Sequence, residues 1–450
     1  MSSLRARLRH PELLLVVALF AIVNLASAAF QSPIAVHDGQ GWDGAAYYTV
    51  AQQLAQGQHL AAEAPFVERV GTPLLAELVA RDDLVAGFRL VNIAANAVLT
   101  LLLLVWLRRY VGDWRIRVGL IAAFLLEWHG PVRFVHFYPV AADNWFACLL
   151  LGGLLAIEPL VRRGRLALIG GLGLLTMLAV VFRESGLLLG LVAPFAANPL
   201  RFERRLPRVG VALFVPLVLG LGAFVGLHAL TTATNTPTTA GGAQPLIVPK
   251  SLPAYLLGWW TAFGPLLILP LVAWRRSLAF LWRHQVMLAL LGVLTLMSAV
   301  QSPGLQLQLQ DTERYLFWGM PVVYVLVGRA LEALLPLLGR PLLGLLVLAQ
   351  LVAERAFWPI PQPGGGDPSQ VFERSTSAWL VFTPLGPNVQ YFDLFPAWMS
   401  QAYRLILLGE YLGLAAVVVG WLAWQSARQR RRVAVSVPSS SSLSTAEAAR

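Results

Sequence analysis

The sequence is poor in charge and in cysteine. Only 13% of its 450 residues are charged, while 57% are hydrophobic, and the mean hydropathy is +0.65. Soluble domains carry about 25% charged residues, so this composition excludes a water-soluble fold and predicts a chain that lies in a bilayer. Its single cysteine, Cys148, lies in an apolar run. One cysteine excludes both an intramolecular disulfide and a thiolate metal cluster.

Acidic residues are also in the minority. There are 34 Lys and Arg against 23 Asp and Glu, a formal net charge of +11. The basic residues form short clusters between apolar runs, a pattern typical of cytoplasmic loops that face anionic lipid. They do not form the basic patches interleaved with aromatics that bind nucleic acid, so membrane lipids and not nucleic acid are the expected partners. The clusters are the N-terminal arginines and residues 108–117, 161–165, 201–208, 274–284 and 428–432.

Long apolar runs make up most of the chain. A transmembrane helix needs ~20 apolar residues, and several runs are shorter, as broken or re-entrant helices would be. The first run is predicted to be an uncleaved membrane helix because many more follow it. We predict an all-α integral membrane protein, a polytopic bundle of roughly 10–13 transmembrane helices forming one domain over residues 1–432. The candidate spans lie near 13–30, 86–107, 118–128, 140–160, 166–182, 186–198, 209–230, 254–273, 285–300, 315–331, 340–353 and 404–424.

The basic clusters also predict the orientation. If they face the cytoplasm, both termini are cytoplasmic, and the external segments include a first loop at about 31–85 and a long loop at about 354–403. The low-complexity tail 433–450 is predicted to be disordered and cytoplasmic. The sequence holds no Asn-x-Ser/Thr glycosylation acceptor, which favours a bacterial inner membrane.

The first external loop carries a polar, turn-rich stretch, "HDGQGWDGAAYYTVAQQL" (37–54). Asp38 and Asp43 each precede a glycine, which is a turn signal, and Asp43 is placed to be the N-cap of a helix that starts two residues later. The periodicity that follows predicts a helix lying flat in the membrane interface. A second interfacial helix, begun by Pro73, follows Arg69.

This loop resembles that of a known family. A first membrane helix, then "WDGAAYY" (42–48), an arginine and "TPLL" (72–75) are similar to the first external loop of the GT-C superfamily, polytopic glycosyltransferases that use polyprenyl-phosphate sugar donors. The resemblance covers residues 10–330 through helix order and a few motifs. It implies a GT-C-like architecture and transfer of a hexosyl or pentosyl group to a lipid or glycan acceptor on the extracytoplasmic face of the cell membrane.

The resemblance also implies roles for residues of this loop. It makes an aspartate the catalytic base, matching Asp43 and, less closely, Asp38, and it places Tyr47 and Tyr48 at the substrate. A carboxylate can take the acceptor hydroxyl proton in an inverting displacement, and an arginine such as Arg69 can stabilise the leaving phosphate without a metal. Asp43 as base and Asp43 as helix cap carry equal weight. The loop has no compact Asp-x-Asp or Glu-x-Asp pair, so no cofactor is assigned and a divalent metal stays open.

Further candidates lie in the second external segment, around 129–143. Arg133 is a candidate substrate contact. Members of the family often carry an acidic residue at the start of the next helix, which Asp143 resembles, although such a residue is more typical of a helix N-cap than of a site. His129 and His136 are seven residues apart without further ligands, which is more typical of interfacial histidines than of a metal site.

Two later motifs complete the candidate site. "FRESG" (182–186) places Arg183 and Glu184 near membrane depth, where an ionisable pair is either functional or a self-compensating ion pair. "DTERYLFWGMP" (311–321) resembles the late Glu-Arg-Tyr stretch of many such transferases, which makes Arg314 a second phosphate contact or a helix anchor.

Two other functions fit the same residues. In a transporter or flippase of a lipid-linked saccharide, the buried charges would line a pathway. In a non-catalytic membrane scaffold, the external aspartates would only cap helices.

Overall fold

The protein is almost entirely α-helical. The computed structural model describes residues 11–128, 130–163, 166–197, 212–234, 252–301, 312–360, 362, 385 and 401–436. Within these ranges the only sheet is a short parallel pair formed by β1 (Ala61–Ala62) and β2 (Thr232–Ala233). The predicted all-α polytopic class is confirmed.

The helices differ widely in length. The first ten are α1 (Pro11–Phe30), α2 (Trp42–Ala55), α3 (Gly71–Val79), α4 (Leu84–Tyr110), α5 (Trp114–Leu126), α6 (Pro131–Phe137), α7 (Asp143–Arg163), α8 (Leu166–Phe182), α9 (Leu187–Val192) and α10 (Val215–Leu230). The later ones are α11 (Leu252–Phe263), α12 (Ile268–Val272), α13 (Trp274–Arg283), α14 (Gln285–Gln301), α15 (Thr312–Phe317), α16 (Met320–Ala353) and α17 (Gln401–Ser436).

Fewer helices than expected have the length of a membrane span. Among the described residues, 5 helices are long and apolar enough to cross a membrane, or up to 7 if each of two bent helix pairs counts as one span. Four further apolar helices have only 10–17 residues. Several of the predicted spans, which the sequence already showed to be shorter than the bilayer is thick, correspond to these short helices, so length alone does not decide the predicted count of 10–13.

Helix α4 sets the axis of the bundle. It has 27 residues and is therefore about 40 Å long, enough to cross the ~30 Å hydrocarbon layer. Its first turn is capped by Asp83, whose carboxylate accepts a hydrogen bond from the Ala86 amide at 3.0 Å. We call the end at Leu84 the loop side and the end at Tyr110 the arginine side.

The arginine side is held together by an almost fully buried acid. Glu12 is 1% exposed and accepts hydrogen bonds from Arg108 at 2.9 Å and Arg117 at 2.5 Å. Since a buried carboxylate is tolerated only when it is paired, these arginines fix α1 against α4 and α5.

A sharp turn divides the 34-residue helix α16. Gly339 has φ +64° and ψ 168°, a conformation that glycine adopts at little cost. It separates the arms 320–338 and 340–353, with Pro336 and Pro341 on either side. The chain beyond the second arm contacts the residues that follow α1 in the sequence. There the side-chain oxygen of Gln31 accepts a hydrogen bond from the amide of Ile360 at 2.6 Å.

The first loop forms the two predicted short helices with different starting points. α2 begins at Trp42 with Gly41 at the N-cap, so the prediction that Asp43 is the N-cap is wrong. Gly41 has φ +76°, a left-handed conformation that lets the chain turn directly into the helix. α3 begins at Gly71, two residues before Pro73.

Two other predicted segments lie mostly outside the described residues. Of the long loop 354–403, residues 354–360, 362, 385 and 401–403 are described. α17 continues to Ser436, so the first four residues of the predicted disordered tail are helical. The remainder, 437–450, lies outside the described ranges.

Candidate functional site

A cavity opens on the loop side between α2, the start of α7 and the α15–α16 junction. Its polar residues include Asp43 and Asp143, both half-buried, whereas buried Leu99, Phe124 and Leu150 form its apolar interior. It encloses about 100 Å³, room for roughly three water molecules at ~30 Å³ each. The wall is completed by residues that include Trp42, Tyr47, Tyr138, Asn144, Trp318 and Met320.

Tyr138 docks the start of α2 at this cavity. Its hydroxyl accepts a hydrogen bond from the Gly44 amide at 2.8 Å, which satisfies one of the helix N–H groups that lack an intrahelical partner. Trp42 stacks on the Tyr138 ring, with centroids 6.2 Å apart. A Cβ atom at Gly41 would overlap that ring, and one at Gly44 would lie 2.8 Å from the Val140 carbonyl oxygen. The glycines around Asp43 therefore allow the close approach that brings its carboxylate to the cavity.

We expect Tyr138→Phe to lower the free energy of unfolding by about 1–3 kcal/mol, since it leaves a buried N–H unsatisfied. The thermal-unfolding midpoint of the detergent-solubilised chain measures this. Tyr48→Phe is the matched control, because Tyr48 is half-buried and its hydroxyl has no hydrogen-bond partner among the described residues. Equal midpoints for the two variants would contradict the assigned hydrogen bond.

The two candidate bases occupy different environments. Asp43 lines the cavity in the first turn of α2. Its side chain makes no hydrogen bond or ion pair to any other described residue, so its oxygens are available to a ligand. Asp38 is exposed in a turn with φ +52° and is not part of the cavity wall. Of the two aspartates, Asp43 is therefore the one that lines the cavity.

Arg69 lies behind the cavity wall, where it joins the first loop to the α8–α9 turn. Its Nε and Nη2 donate to the two carboxylate oxygens of Glu184 at 2.8 and 2.7 Å. Its Nη1 donates to the Tyr47 hydroxyl at 2.6 Å. The guanidinium is 4% exposed, and this forked geometry is the strongest that an arginine and a carboxylate can form.

Arg183 continues the same network toward the cavity. It is 2% exposed, forms an ion pair with Asp143 and lies 3.9 Å from Glu184 Oε1. Its guanidinium also lies over the ring of Trp318, 4.7 Å from the centroid. Tyr47, Arg69, Glu184, Arg183 and Asp143, which the sequence nominates from three separate segments, therefore form one continuous network. Tyr47 and Asp143 at its two ends line the cavity.

Basic and acidic side chains alternate along this network, and the two arginines beside Glu184 affect its pKa. Burial acts to raise that pKa, but the neighbouring Arg69 and Arg183 outweigh burial and lower it from 4.5 to about 2. A carboxyl group with a lowered folded-state pKa stabilises the fold above its unfolded-state value and loses that contribution as the pH falls.

We therefore expect the stability difference between the wild type and Glu184→Gln to be complete above pH 4.5 and to vanish as the pH falls to about 2. Thermal-unfolding midpoints of both proteins across this range measure it. Glu77→Gln is the control. It removes the 3.4 Å ion pair between Glu77 and the exposed Arg81. A pH-independent difference between wild type and Glu184→Gln would contradict the ion-pair assignment.

Other nominated residues lie away from the cavity. Arg133 is buried among main-chain carbonyls and donates to those of Leu126 and Arg355 at 2.8 Å each and to that of Trp358 at 2.6 Å. It joins α5, α6 and the end of α16 and is not among the residues that line the cavity. Tyr48 packs beside a small core cluster.

The histidines and Arg314 add no described contact at the cavity. His136 bonds Asn24 at 3.2 Å, while His129 lies outside the described residues, as does the side chain of Arg314 in α15. In the parts of the chain that the structure describes, no three His, Cys, Asp or Glu residues converge as metal ligands.

Three asparagines shape the cavity and were not predicted. Asn92 donates to the carbonyls of Pro139 and Ala141 at 2.9 and 3.0 Å, and Asn96 donates to that of Pro131 at 2.7 Å. Asn144 on the cavity wall donates to Asn96 at 3.0 Å. They fix the turn that carries Tyr138 and Asp143. Two amides four residues apart inside an apolar helix are a signal of a polar interior, and that signal is visible in α4.

No protein-family model matches the sequence, and no curated protein matches it.

Proposed function

We propose that the chain is a GT-C-type membrane glycosyltransferase that transfers a sugar from a polyprenyl-phosphate donor to an acceptor on the extracytoplasmic face. The observation that carries the proposal is Asp43, a carboxylate with no partner among the described residues at the entrance of a cavity. Such a group can accept the proton of an attacking hydroxyl once that hydroxyl lies within hydrogen-bond reach. Attack from the side opposite the leaving phosphate inverts the anomeric carbon.

The cavity has a polar part and an apolar part, and this combination supports an amphiphilic substrate. Carboxylates and aromatic side chains at the entrance suit a sugar ring and its phosphate, while Leu99, Phe124 and Leu150 in the interior suit the first units of a prenyl chain. Ligand sites of this kind usually enclose about 300–1,000 Å³, more than the 100 Å³ of this cavity. Donor binding therefore has to widen it, and side-chain changes on binding are common.

The arginines take different roles in this proposal. Arg69 is already engaged in three hydrogen bonds, so we assign it to positioning Tyr47 and Glu184 and not to contact with the phosphate. Arg183 lies directly behind Asp143 and supplies positive charge next to the cavity, where a leaving phosphate would gain negative charge.

The test uses the purified full chain in liposomes with synthetic polyprenyl-phosphate hexose and pentose donors whose sugar is radiolabelled. We expect label to move from donor to a co-supplied lipid or glycan acceptor, with release of polyprenyl phosphate and inversion at the anomeric carbon. Label that crosses the bilayer without a new glycosidic bond would overturn the proposal in favour of a transporter. Neither transfer nor translocation with any donor would overturn it in favour of a scaffold.

A further inference from the structure

A second cavity, separate from the first, lies on the arginine side. Its volume is about 490 Å³, and it shares no lining residue with the loop-side cavity. Four of its lining residues are arginines, namely Arg275, Arg276, Arg283 and Arg329. We call it the arginine cavity.

Among the described residues, Glu332 is the only acidic residue that lines the arginine cavity, and its carboxylate already accepts two hydrogen bonds. Its Oε1 accepts hydrogen bonds from the amides of Gly112 and Asp113 at 2.5 and 2.9 Å. Four arginines thus line a space with one acidic residue, a surplus of positive charge that attracts an anion.

The side chain of Arg329 is positioned by an aromatic ring and a main-chain carbonyl. Its guanidinium lies 4.7 Å from the centroid of the Phe280 ring, and its Nη1 donates to the Tyr110 carbonyl at 3.2 Å. Phe280 in turn packs edge-on against Tyr110, with centroids 5.8 Å apart. The remaining donors of Arg329 keep a defined direction, which lowers the entropy lost when they bind a ligand.

The helix that carries the other three arginines also carries a stripe suited to lipid. On α13, Trp274, Leu278 and Trp282 follow one another at four-residue spacing and are 56%, 50% and 47% exposed. Arg275 lies against this stripe, with its guanidinium 5.4 Å from the centroid of the Trp274 ring. Exposed indoles and apolar residues together with arginines are typical of a helix that lies in the headgroup region of a membrane. A ligand reaching the arginine cavity from the side would therefore come from the lipid.

We propose that the arginine cavity binds the phosphate headgroup of an anionic phospholipid in the leaflet on this side of the bundle. Guanidinium groups bind phosphate oxygens through paired N–H donors, and the volume suits one headgroup. This site is independent of sugar transfer.

The experiment titrates phosphatidylglycerol or phosphatidylcholine into the detergent-solubilised full chain and counts bound lipid by native mass spectrometry. We expect tighter binding of phosphatidylglycerol, weakened by salt. Each arginine replaced by glutamine should weaken it roughly fivefold, so Arg329→Gln costs about fivefold and the triple change at 275, 276 and 283 on the order of 100-fold. The triple lysine variant keeps the charge but not the paired donors, so its affinity should fall between those of the wild type and the triple glutamine variant.

Arg340→Gln is the matched control, because Arg340 is an exposed arginine that does not line the arginine cavity. It should bind phosphatidylglycerol as the wild type does. Equal binding of the two lipids, or an Arg340→Gln loss as large as that of Arg329→Gln, would overturn the proposal. Competition by soluble glycerol 3-phosphate at the same concentration as lipid would overturn the lipid assignment and point to a soluble anion.

Discussion

Replacing Asp43 by asparagine is expected to lower the rate of sugar transfer by about 10²–10⁴-fold, the usual contribution of a general base. Asparagine keeps the size of the side chain but cannot accept the hydroxyl proton. Asp43 makes no hydrogen bond or ion pair within the described structure, so the substitution breaks no described contact and the thermal-unfolding midpoint should stay close to that of the wild type. The measurement is donor turnover by the purified variant at saturating donor.

Two further aspartates sharpen this test. Asp82→Asn changes an exposed loop-side carboxylate outside the cavity and should keep wild-type turnover. Asp38→Asn tests the second aspartate of the motif, which is exposed and outside the cavity wall, and should also stay active because asparagine tolerates the left-handed turn. Full activity of Asp43→Asn, or an equal loss in Asp38→Asn, would remove Asp43 from the proposed role.

Replacing Arg69 by methionine is expected to lower the free energy of unfolding by about 3–5 kcal/mol, the usual cost of removing one partner of a buried ion pair. The variant leaves Glu184 without its forked partner and the Tyr47 hydroxyl without its donor. The thermal-unfolding midpoint in detergent measures the loss, and the wild type at the same pH is the reference.

Three other variants separate the causes of that loss. Tyr47→Phe removes a single hydrogen bond and leaves one buried Arg69 donor unpaired, so it should cost about 1–3 kcal/mol, less than Arg69→Met. Arg69→Lys keeps the charge but not the fork and should fall between wild type and methionine. Arg81→Met removes an ion pair whose arginine is 64% exposed and should cost about 0–1 kcal/mol. A loss in Arg69→Met no larger than in Arg81→Met would show that the network does not stabilise the fold.

The alternatives that the sequence left open are answered by particular contacts. Asp43 is not a cap, because Gly41 takes that position and turns the chain with a positive φ. Arg183 and Glu184 do not simply neutralise each other, because Glu184 pairs mainly with Arg69 and Arg183 pairs with Asp143. Arg133 was nominated for a substrate, yet main-chain carbonyls surround it. For Arg183, Glu184 and Arg133, the deciding partners include residues on another segment of the chain.

Composition and periodicity by themselves determined the all-α membrane class and the two short helices of the first loop. They could do so because hydropathy and helical period are properties of neighbouring residues. They also predicted that several spans are short, and four apolar helices of 10–17 residues occur among the described residues.

Only the tertiary structure decided which polar residues belong together. Arg69 and Glu184 are 115 positions apart, and Gly44 and Tyr138 are 94 apart, separations that no local pattern can join. The tertiary structure also set α13 against α16 to form the arginine cavity. Ion pairs and cavities arise from packing between distant helices, and packing depends on the shapes of both partners together.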